Sequence, residues 1–209
     1  MFHVKRLRRD ARDLGVTLDE RTAGTLVAYE ELLRDRAVPL GLVSESDARR
    51  IRERHVMDCL RATLAFRAED RTAYDLGSGA GLPGIVLACA LPDRSFRLVE
   101  AKGRAAGFLE LAVDRLPLEN VEVLVRRVED LEEPVDLITA RAFAPLERAW
   151  EAARPLLRPG GRLVYFAGSS VAPLEEIAGW LEGPEPPLEV EFLGRVESGA
   201  PLVIMSRRG

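Results

Sequence analysis

The stretch DLGSGAGLPG (residues 75–84) contains four glycines within eight positions, at Gly77, Gly79, Gly81 and Gly84. A strand that ends near Leu76 and a helix that begins near Leu82 leave a tight turn between them. In such a turn, side chains would obstruct both the backbone and any bound ligand. The stretch therefore predicts a strand, a glycine loop and a helix, arranged so that a ligand can approach the backbone closely.

The spacing of these glycines distinguishes two kinds of ligand that such loops commonly bind. The dinucleotide fingerprint places glycine at the first, third and sixth positions, whereas the fifth position here is Gly81 and the sixth is Leu82. The spacing therefore favours S-adenosylmethionine, and the carboxylate of Asp75 suits a cofactor that carries positive charge. An ordinary strand-to-helix turn is the alternative. The candidate cofactor contacts in this stretch are Asp75, Gly77, Ser78, Gly79, Gly81 and Leu82.

Length and composition limit the class of protein. The chain has 209 residues, of which 47% are hydrophobic and 31% charged, which suits one α/β domain with a short extension. No apolar run approaches the roughly 20 residues that span a bilayer, and the first residues lack the apolar segment of a signal peptide. We therefore expect a cytoplasmic protein with no membrane partner. Cys59 and Cys89 lack the spacing of metal ligands, which favours reduced core thiols and no metal site.

The first 70 residues carry the spacing of helices. The segment LDERTAGTLVAYEELLRDR (residues 18–36) repeats its apolar residues at helical intervals. Ser44 or Ser46 can cap a further helix over residues 45–66. This pattern predicts an N-terminal helical extension at residues 1–70.

From residue 71 the pattern changes to strands that alternate with helices. Such alternation predicts a parallel sheet covered by helices on both faces, in one domain at residues 71–209. Near the end of the chain, a proline-rich break at residues 183–187 is followed by two segments that suit a closing pair of strands, at residues 190–196 and 202–208.

The charge of the chain is unevenly distributed. A net charge of -4 argues weakly against a nucleic-acid partner. Positive charge nevertheless gathers at residues 5–12 and 48–55, and nearly all of it is arginine, whose planar guanidinium suits phosphate contacts. Either a local basic face or a bias in overall composition explains this pattern.

Further candidate site residues follow the predicted strands. Glu100 ends the strand FRLVE, where a carboxylate can accept hydrogen bonds from both ribose hydroxyls of an adenosine. Ligands of open α/β sheets lie outside the carboxyl ends of the strands, so Val128, Glu129 and Arg141 can reach the same pocket. Arg141 can hold an anionic group there, or it can form an ion pair with an acid such as Glu147. The alternatives for Glu100 and Glu129 are solvated surface acids.

Five motifs in this order resemble one known family: DLGSGAGLPGIVLA, LVE, AKGRAAGFL, RVEDL and ARAFAPL. The chain is similar, over roughly residues 45–170, to the RsmG (GidB) family of bacterial 16S ribosomal RNA guanine-N7 methyltransferases. The resemblance implies an α/β, Rossmann-like class I methyltransferase fold, with a mostly parallel seven-stranded sheet. It implies S-adenosylmethionine as the cofactor, 16S rRNA or the small ribosomal subunit as the partner, and Glu100 as the ribose contact. It also implies cofactor contacts at Gly77, Leu82, Val128, Glu129 and Arg141.

The chemistry that this resemblance implies needs few catalytic groups. Guanine N7 has a lone pair and no proton to remove, so methyl transfer depends on alignment and desolvation more than on a general base. Arg141 is the candidate catalytic residue, because it can orient an anionic group. His55, paired with Asp58, and Phe143, stacked on a base, are candidates for substrate binding. A structural histidine and a packed core phenylalanine are the alternatives.

The chain departs from the family pattern in several places, among them Cys59 and Ala167. Cys59 stands where the family usually has serine, and Ala167 stands where it usually has lysine. Two other functions therefore remain as hypotheses. One is a methyltransferase that acts on a small molecule or a protein, and the other is a non-catalytic ribosome assembly factor that binds S-adenosylmethionine.

Overall fold

A computed structural model of the chain describes residues 2–167, 189–193 and 201–208. The α-helices of these residues are α1 (Phe2–Asp13), α2 (Glu20–Leu32), α3 (Met57–Leu60), α4 (Gly84–Ala90), α5 (Gly103–Arg115) and α6 (Leu146–Ala153). The strands are β1 (Thr72–Leu76), β2 (Ser95–Val99), β3 (Val121–Leu124), β4 (Val135–Arg141), β5 (Leu157–Phe166), β6 (Glu189–Leu193) and β7 (Leu202–Ser206). The proline-rich break predicted at residues 183–187 lies outside the described residues.

The strands form one seven-stranded sheet in the order β3-β2-β1-β4-β5-β7-β6. Strands β1 to β5 pair in parallel, whereas β7 pairs antiparallel with both β5 and β6. The predicted α/β fold with a mostly parallel sheet and a closing pair of strands is therefore confirmed. The strand order reverses between β1 and β4, and in open α/β sheets ligands bind outside the carboxyl ends of the strands at this point.

Each face of the sheet packs on its own hydrophobic core, because successive side chains of a strand point to opposite faces. In β1, Ala73 belongs to the first core and Tyr74 to the second. The first core also contains residues of α4, α5 and the N-terminal helices. The second contains residues of α6, among them the buried Trp150. The helices thus cover both faces of the sheet, as the alternating pattern predicts.

The N-terminal helices share the first core with the sheet. Leu26 and Tyr29 of α2 are fully buried in the same cluster as Ile85 and Leu87 of α4. The predicted helix at residues 18–36 is present as α2, which ends at Leu32 and is followed by a π-helical turn at Leu33–Ala37. Asp19 caps α2 by accepting a 2.6 Å hydrogen bond from the Thr22 backbone N–H.

The second predicted helix of the extension differs from its prediction. Ser44 does act as a cap, but only of a short 3₁₀ turn at Glu45–Asp47. The chain then forms a π-helical turn at Arg52–Val56, the single turn of α3 and a 3₁₀ turn at Arg61–Ala65. Apolar spacing alone does not distinguish these tight and wide turns from one continuous α-helix.

One buried ion pair lies within the extension, and a second joins the extension to the sheet. Arg52 donates from Nε and Nη2 to the two carboxylate oxygens of Glu30, at 2.8 and 2.6 Å. Arg162 of β5 pairs with Asp70 and donates to the backbone carbonyl of Ala65. Separating the partners of a buried ion pair leaves an uncompensated charge, which is costly. These contacts therefore fix the position of the extension against the sheet.

No helix among the described residues is both long and apolar enough to cross a membrane.

We expect that a fragment of residues 71–209 does not fold by itself, because removing the extension exposes the apolar face of α4 and leaves Arg162 unpaired. Circular dichroism and thermal unfolding of the fragment should show no cooperative transition, whereas the full chain measured in parallel should show one. A cooperative transition in the fragment would mean that the two predicted regions are independent domains.

Candidate functional site

The glycine loop between β1 and α4 has a left-handed backbone at three positions. Gly77, Gly79 and Gly81 have φ angles of +64°, +56° and +83°, a region that side chains disfavour. A Cβ at Gly77 would approach Phe143 Cδ2 at 2.8 Å, and one at Gly81 would approach Ile85 Cδ1 at 2.5 Å. The left-handed backbone favours glycine at both positions, and a side chain at either one would also displace Phe143 or Ile85.

Gly79 differs from the other loop glycines. Among the described residues, the nearest atom to a Cβ at this position is the Gly77 carbonyl oxygen, at 3.8 Å. A Cβ at Gly84, by contrast, would collide with Leu98 and lie 2.7 Å from Asp75 Oδ2. Packing within the protein thus explains Gly84, whereas a side chain at Gly79 would project into open space.

Asp75 supports the loop from beneath. Its Oδ1 accepts a 2.8 Å hydrogen bond from Thr139 Oγ1, the residue opposite it on β4, and its Oδ2 accepts a 3.1 Å bond from the Gly84 backbone N–H. The Ser78 hydroxyl donates to the Asp75 backbone carbonyl at 2.8 Å. Burial raises the pKa of Asp75 to about 6, although the hydrogen bonds from Thr139 and Ser78 oppose the shift. Both carboxylate oxygens are thus engaged inside the chain.

Glu100 holds the loop from the side. Its Oε2 accepts a 3.0 Å hydrogen bond from the Gly79 backbone N–H, and its Oε1 accepts a 2.8 Å bond from the Lys102 backbone N–H. The side chain is buried, yet it lines a cavity. The carboxylate is therefore fixed between the glycine loop and the start of α5.

A cavity of about 300 Å³ opens at the carboxyl ends of β1, β2 and β4. It brings together five residues that the sequence analysis selects, Gly77, Glu100, Val128, Glu129 and Phe143. It also contains residues that the sequence analysis missed: Val99, Ala101, Lys102, Arg126, Arg127 and Ala142. These residues directly flank the selected ones, so the rule that sites gather at strand ends could have found them.

Arg141 ends β4 beside this cavity but does not line it. Its Nη2 lies 2.8 Å from His55 Nδ1 and donates to the Arg54 backbone carbonyl at 3.1 Å. Its Nη1 donates to Cys59 Sγ at 3.6 Å, and Nη2 is 3.6 Å from Asp58 Oδ2. The acid near Arg141 is thus Asp58 of the extension, not Glu147 as the alternative interpretation suggested.

His55 is partly buried between the extension and β4. The carboxylate beside His55 Nε2 is that of Asp47, whose Oδ2 lies 3.5 Å away. The sequence suggested Asp58 as this partner. Burial and, to a smaller extent, the positive charge of Arg141 lower the pKa of His55 to about 4, although the negative charge of Asp47 opposes the shift. Whether His55 or Phe143 contacts a substrate stays a prediction.

Tyr29 is a contact that sequence reasoning missed. The side chain is fully buried, and its hydroxyl donates a 2.5 Å hydrogen bond to the Ala80 backbone carbonyl in the glycine loop. Its ring sits in the first core, so the apolar spacing of α2 indicates burial of Tyr29 but not the partner of its hydroxyl.

A second cavity, of about 460 Å³, lies beside β2 and β3. It contains none of the candidate residues, and acidic side chains form most of its charged lining. Arg97 pairs there with Glu133 at 2.6 Å and with Glu122 at 3.3 Å. Nothing in its lining matches the chemistry that the glycine loop indicates. Among the described residues, no three His, Cys, Asp or Glu side chains are grouped as a metal site.

Comparison with known families identifies the chain. The family model for rRNA small subunit methyltransferase G, GidB, matches residues 23–179. The chain belongs to the GidB family. The resemblance to RsmG (GidB) is thus confirmed, and the match includes the glycine loop, the cavity and the segment that holds Arg141.

Individual GidB relatives agree with this assignment. The Ribosomal RNA small subunit methyltransferase G of Salinispora tropica is 44% identical over 162 residues, which are 73% of this chain and 65% of that protein. The protein of the same name from Roseiflexus castenholzii is 36% identical over 171 residues, which are 79% of this chain and 73% of that protein. The chain spans less than two thirds of the length of several GidB relatives that it matches.

Solved structures share the fold at low identity. TYW2 of M. jannaschii, solved in complex with AdoMet, matches with a TM-score of 0.57 and 15% identity over 75% of this chain and 77% of that chain. A SAM dependent methyltransferase from Aquifex aeolicus matches with a TM-score of 0.53 and 19% identity over 75% of this chain and 91% of that chain. The predicted Rossmann-like methyltransferase fold is therefore confirmed.

The buried carboxyl group of Asp75 predicts a pH dependence of stability. An Asp75→Asn variant should fold, because the amide can accept from the Gly84 N–H and donate to the Thr139 hydroxyl. Since the pKa of Asp75 rises from 3.8 to about 6 on folding, the folded state retains this proton between these two pH values. The free energy of unfolding of the wild type, relative to the variant, should thus fall by up to about 3 kcal/mol as the pH rises from about 4 to 6, and stay level above.

Urea denaturation of both proteins at a series of pH values measures this difference. A difference that does not change between pH 4 and 6 would mean that Asp75 ionises normally in the folded protein.

Proposed function

We propose that the protein transfers a methyl group from S-adenosylmethionine to guanine N7 in 16S rRNA of the small ribosomal subunit. The observation that carries this proposal is the cavity in which Glu100 contacts the backbone of Gly79 at the switch point of the sheet. Membership of the GidB family supports the same reaction and the same substrate. The proposed substrate also fits a cytoplasmic location.

The residues of the cavity fit an adenosyl group. Each oxygen of Glu100 accepts one backbone N–H, and a carboxylate offers about four lone-pair sites, so acceptor capacity remains for two ribose hydroxyls. Val128 is buried and Glu129 is exposed at the same cavity, which suits an apolar face and a polar edge of a base. Gly79, where a Cβ would meet no described atom nearer than 3.8 Å, leaves the backbone open for the rest of the ligand. When bound, the cofactor supplies the electrophilic methyl group.

The role that we assign to Asp75 is support of the loop. Both of its oxygens bind groups of the protein, and only 1% of the residue is exposed, so it acts on a ligand through the backbone of the loop. Ser78, which is also buried, acts in the same way. We assign the direct contacts to Gly77, Gly79, Gly81, Leu82, Glu100, Val128, Glu129 and Arg141.

The protein has to orient its substrate and exclude water, because guanine N7 carries no proton to remove. Phe143 lies against Gly77 at the cavity, where its ring can stack on an unpaired base. The exposed arginines Arg9, Arg12, Arg49 and Arg50 belong to the two basic segments of the extension. We propose that these segments bind phosphates and that Phe143 packs against the target guanine.

The decisive experiment is transfer of tritium from S-[methyl-³H]adenosylmethionine. The expected result is label in small-subunit RNA, recovered as 7-methylguanosine after digestion. Label in a metabolite or protein fraction instead would favour the small-molecule or protein methyltransferase. Binding of the cofactor without transfer to naked RNA or to subunits from unmethylated cells would favour the non-catalytic assembly factor.

Gly79→Leu should weaken the binding of S-adenosylmethionine by at least about 100-fold, because its side chain would occupy the space that the ligand needs. Gly15→Leu is the matched control, since Gly15 also has a positive φ of +79° and open surroundings but lies between α1 and α2. Each substitution should cost roughly 1–2 kcal/mol of stability from backbone strain.

Calorimetric titration gives the affinities, and thermal unfolding gives the stabilities. Equal affinities of the Gly79→Leu and Gly15→Leu variants for S-adenosylmethionine would mean that the glycine loop is not part of the ligand site.

A further inference from the structure

The hydrogen bonds of Arg141 go to the helical extension, while its guanidinium also lies over the ring of Phe166 of β5, 6.0 Å from the centroid. The hydrogen bonds of its guanidinium go to His55, to the Arg54 carbonyl and to Cys59, which all lie in the segment between Ile51 and Leu60. Among the described residues, none accepts a hydrogen bond from Arg141 Nε. The guanidinium is thus fixed on one side while it retains a donor for a further anion.

The contact with His55 requires a neutral imidazole in one tautomer. A guanidinium can only donate, so Nδ1 of His55 must accept from Arg141 Nη2 and the ring proton must lie on Nε2. The Nε2 atom is buried and makes no hydrogen bond within the described part of the chain, and Asp47 Oδ2 lies 3.5 Å from it. The groups that face the imidazole are Arg141, Asp47, Arg54 and Asp58, and burial is the largest cause of its lowered pKa. His55 therefore stays neutral, as an acceptor, at neutral pH.

The backbone around His55 is unusual in the same place. Residues Arg52–Val56 form a π-helical turn, which places His55 Nδ1 and the Arg54 carbonyl on the same Nη2 of Arg141. Single π turns occur frequently at functional sites, because the wider turn frees a carbonyl for another partner. The buried ion pair between Arg52 of this turn and Glu30 holds the turn against α2.

We propose that His55 is a positioning residue, which holds the guanidinium of Arg141 so that it binds the carboxylate of the amino acid part of S-adenosylmethionine. The inference rests on the proposed function, because it assigns Arg141 to that cofactor. In this proposal His55 does not contact RNA directly. It acts through Arg141. Because a fixed guanidinium loses less freedom on binding, the effect of His55 should appear as cofactor affinity.

The test compares two ligands that differ in the group which Arg141 binds. S-adenosylhomocysteine carries the carboxylate, whereas 5′-deoxy-5′-methylthioadenosine contains the adenosine and sulfur but no amino acid. In calorimetry, His55→Ala should weaken binding of S-adenosylhomocysteine by about tenfold or more, and change binding of methylthioadenosine by less than about twofold. His55→Asn should recover most of the loss, since its Oδ1 can accept at the position of Nδ1.

Three comparisons separate a positioning role of His55 from a purely structural one. His3→Ala, at the other histidine of the chain, is exposed on α1 and should bind both ligands as the wild type does. In the Arg141→Ala background, His55→Ala should have no additional effect on S-adenosylhomocysteine. Thermal unfolding should show that both His55 variants remain folded at the temperature of the titration.

The proposal and the function on which it rests fail in different ways. Equal weakening of both ligands by His55→Ala, or full additivity with Arg141→Ala, would overturn the positioning role alone. A wild-type protein that binds neither ligand would overturn the proposed cofactor, and the role of His55 with it.

Discussion

Two carboxylates hold the glycine loop in shape, and the rest of the candidate site depends on them. Glycines lose more conformational freedom on folding than other residues, so a loop with three left-handed glycines does not keep one conformation by itself. Asp75 binds the loop at the Gly84 N–H, and Glu100 binds it at the Gly79 N–H. Because these acids stand at the ends of adjacent parallel strands, the register of β1 and β2 sets the geometry of the loop.

The two carboxylates occupy different environments, which gives them different roles. Asp75 lies behind the loop with 1% of its surface exposed, and burial raises its pKa to about 6. Glu100 lines the cavity and accepts one backbone N–H at each oxygen. A carboxylate at the cavity can bind hydroxyls of a ligand, whereas one behind the loop can only support the backbone. Position along the strands separates them, because Asp75 lies within β1 opposite Leu98, whereas Glu100 lies two residues beyond Leu98 and past the end of β2.

The sequence predicts the features of the site that are local. The glycine loop, the strand ends and the position of Glu100 follow from residue spacing, because each depends on a few consecutive residues. The contacts from the extension could not be predicted in this way. Tyr29 and Ala80 are separated by 51 positions, and His55 and Arg141 by 86, so only the packing of the extension on the sheet brings them together.

The division of the chain at residue 70 shows the same limit. The change from helical to alternating pattern is real, and it marks where β1 begins. It does not reveal that the helices before it share a core with α4, or that Asp70 pairs with Arg162 of β5. Periodicity reports which face of an element is buried, but not what covers it. We therefore regard the helical extension as part of the same folding unit.

Cys59 increases the dependence of Arg141 on its other partners. Its sulfur accepts a hydrogen bond from Arg141 Nη1 at 3.6 Å. Sulfur is a weak acceptor compared with a hydroxyl oxygen, so this contact directs the guanidinium less strongly than serine would. Burial also raises the pKa of Cys59 to about 12, so it cannot act as a thiolate counter-ion. The Arg54 carbonyl and the neutral imidazole of His55 are left as the short contacts that orient Arg141, and both come from one π-helical turn of the extension.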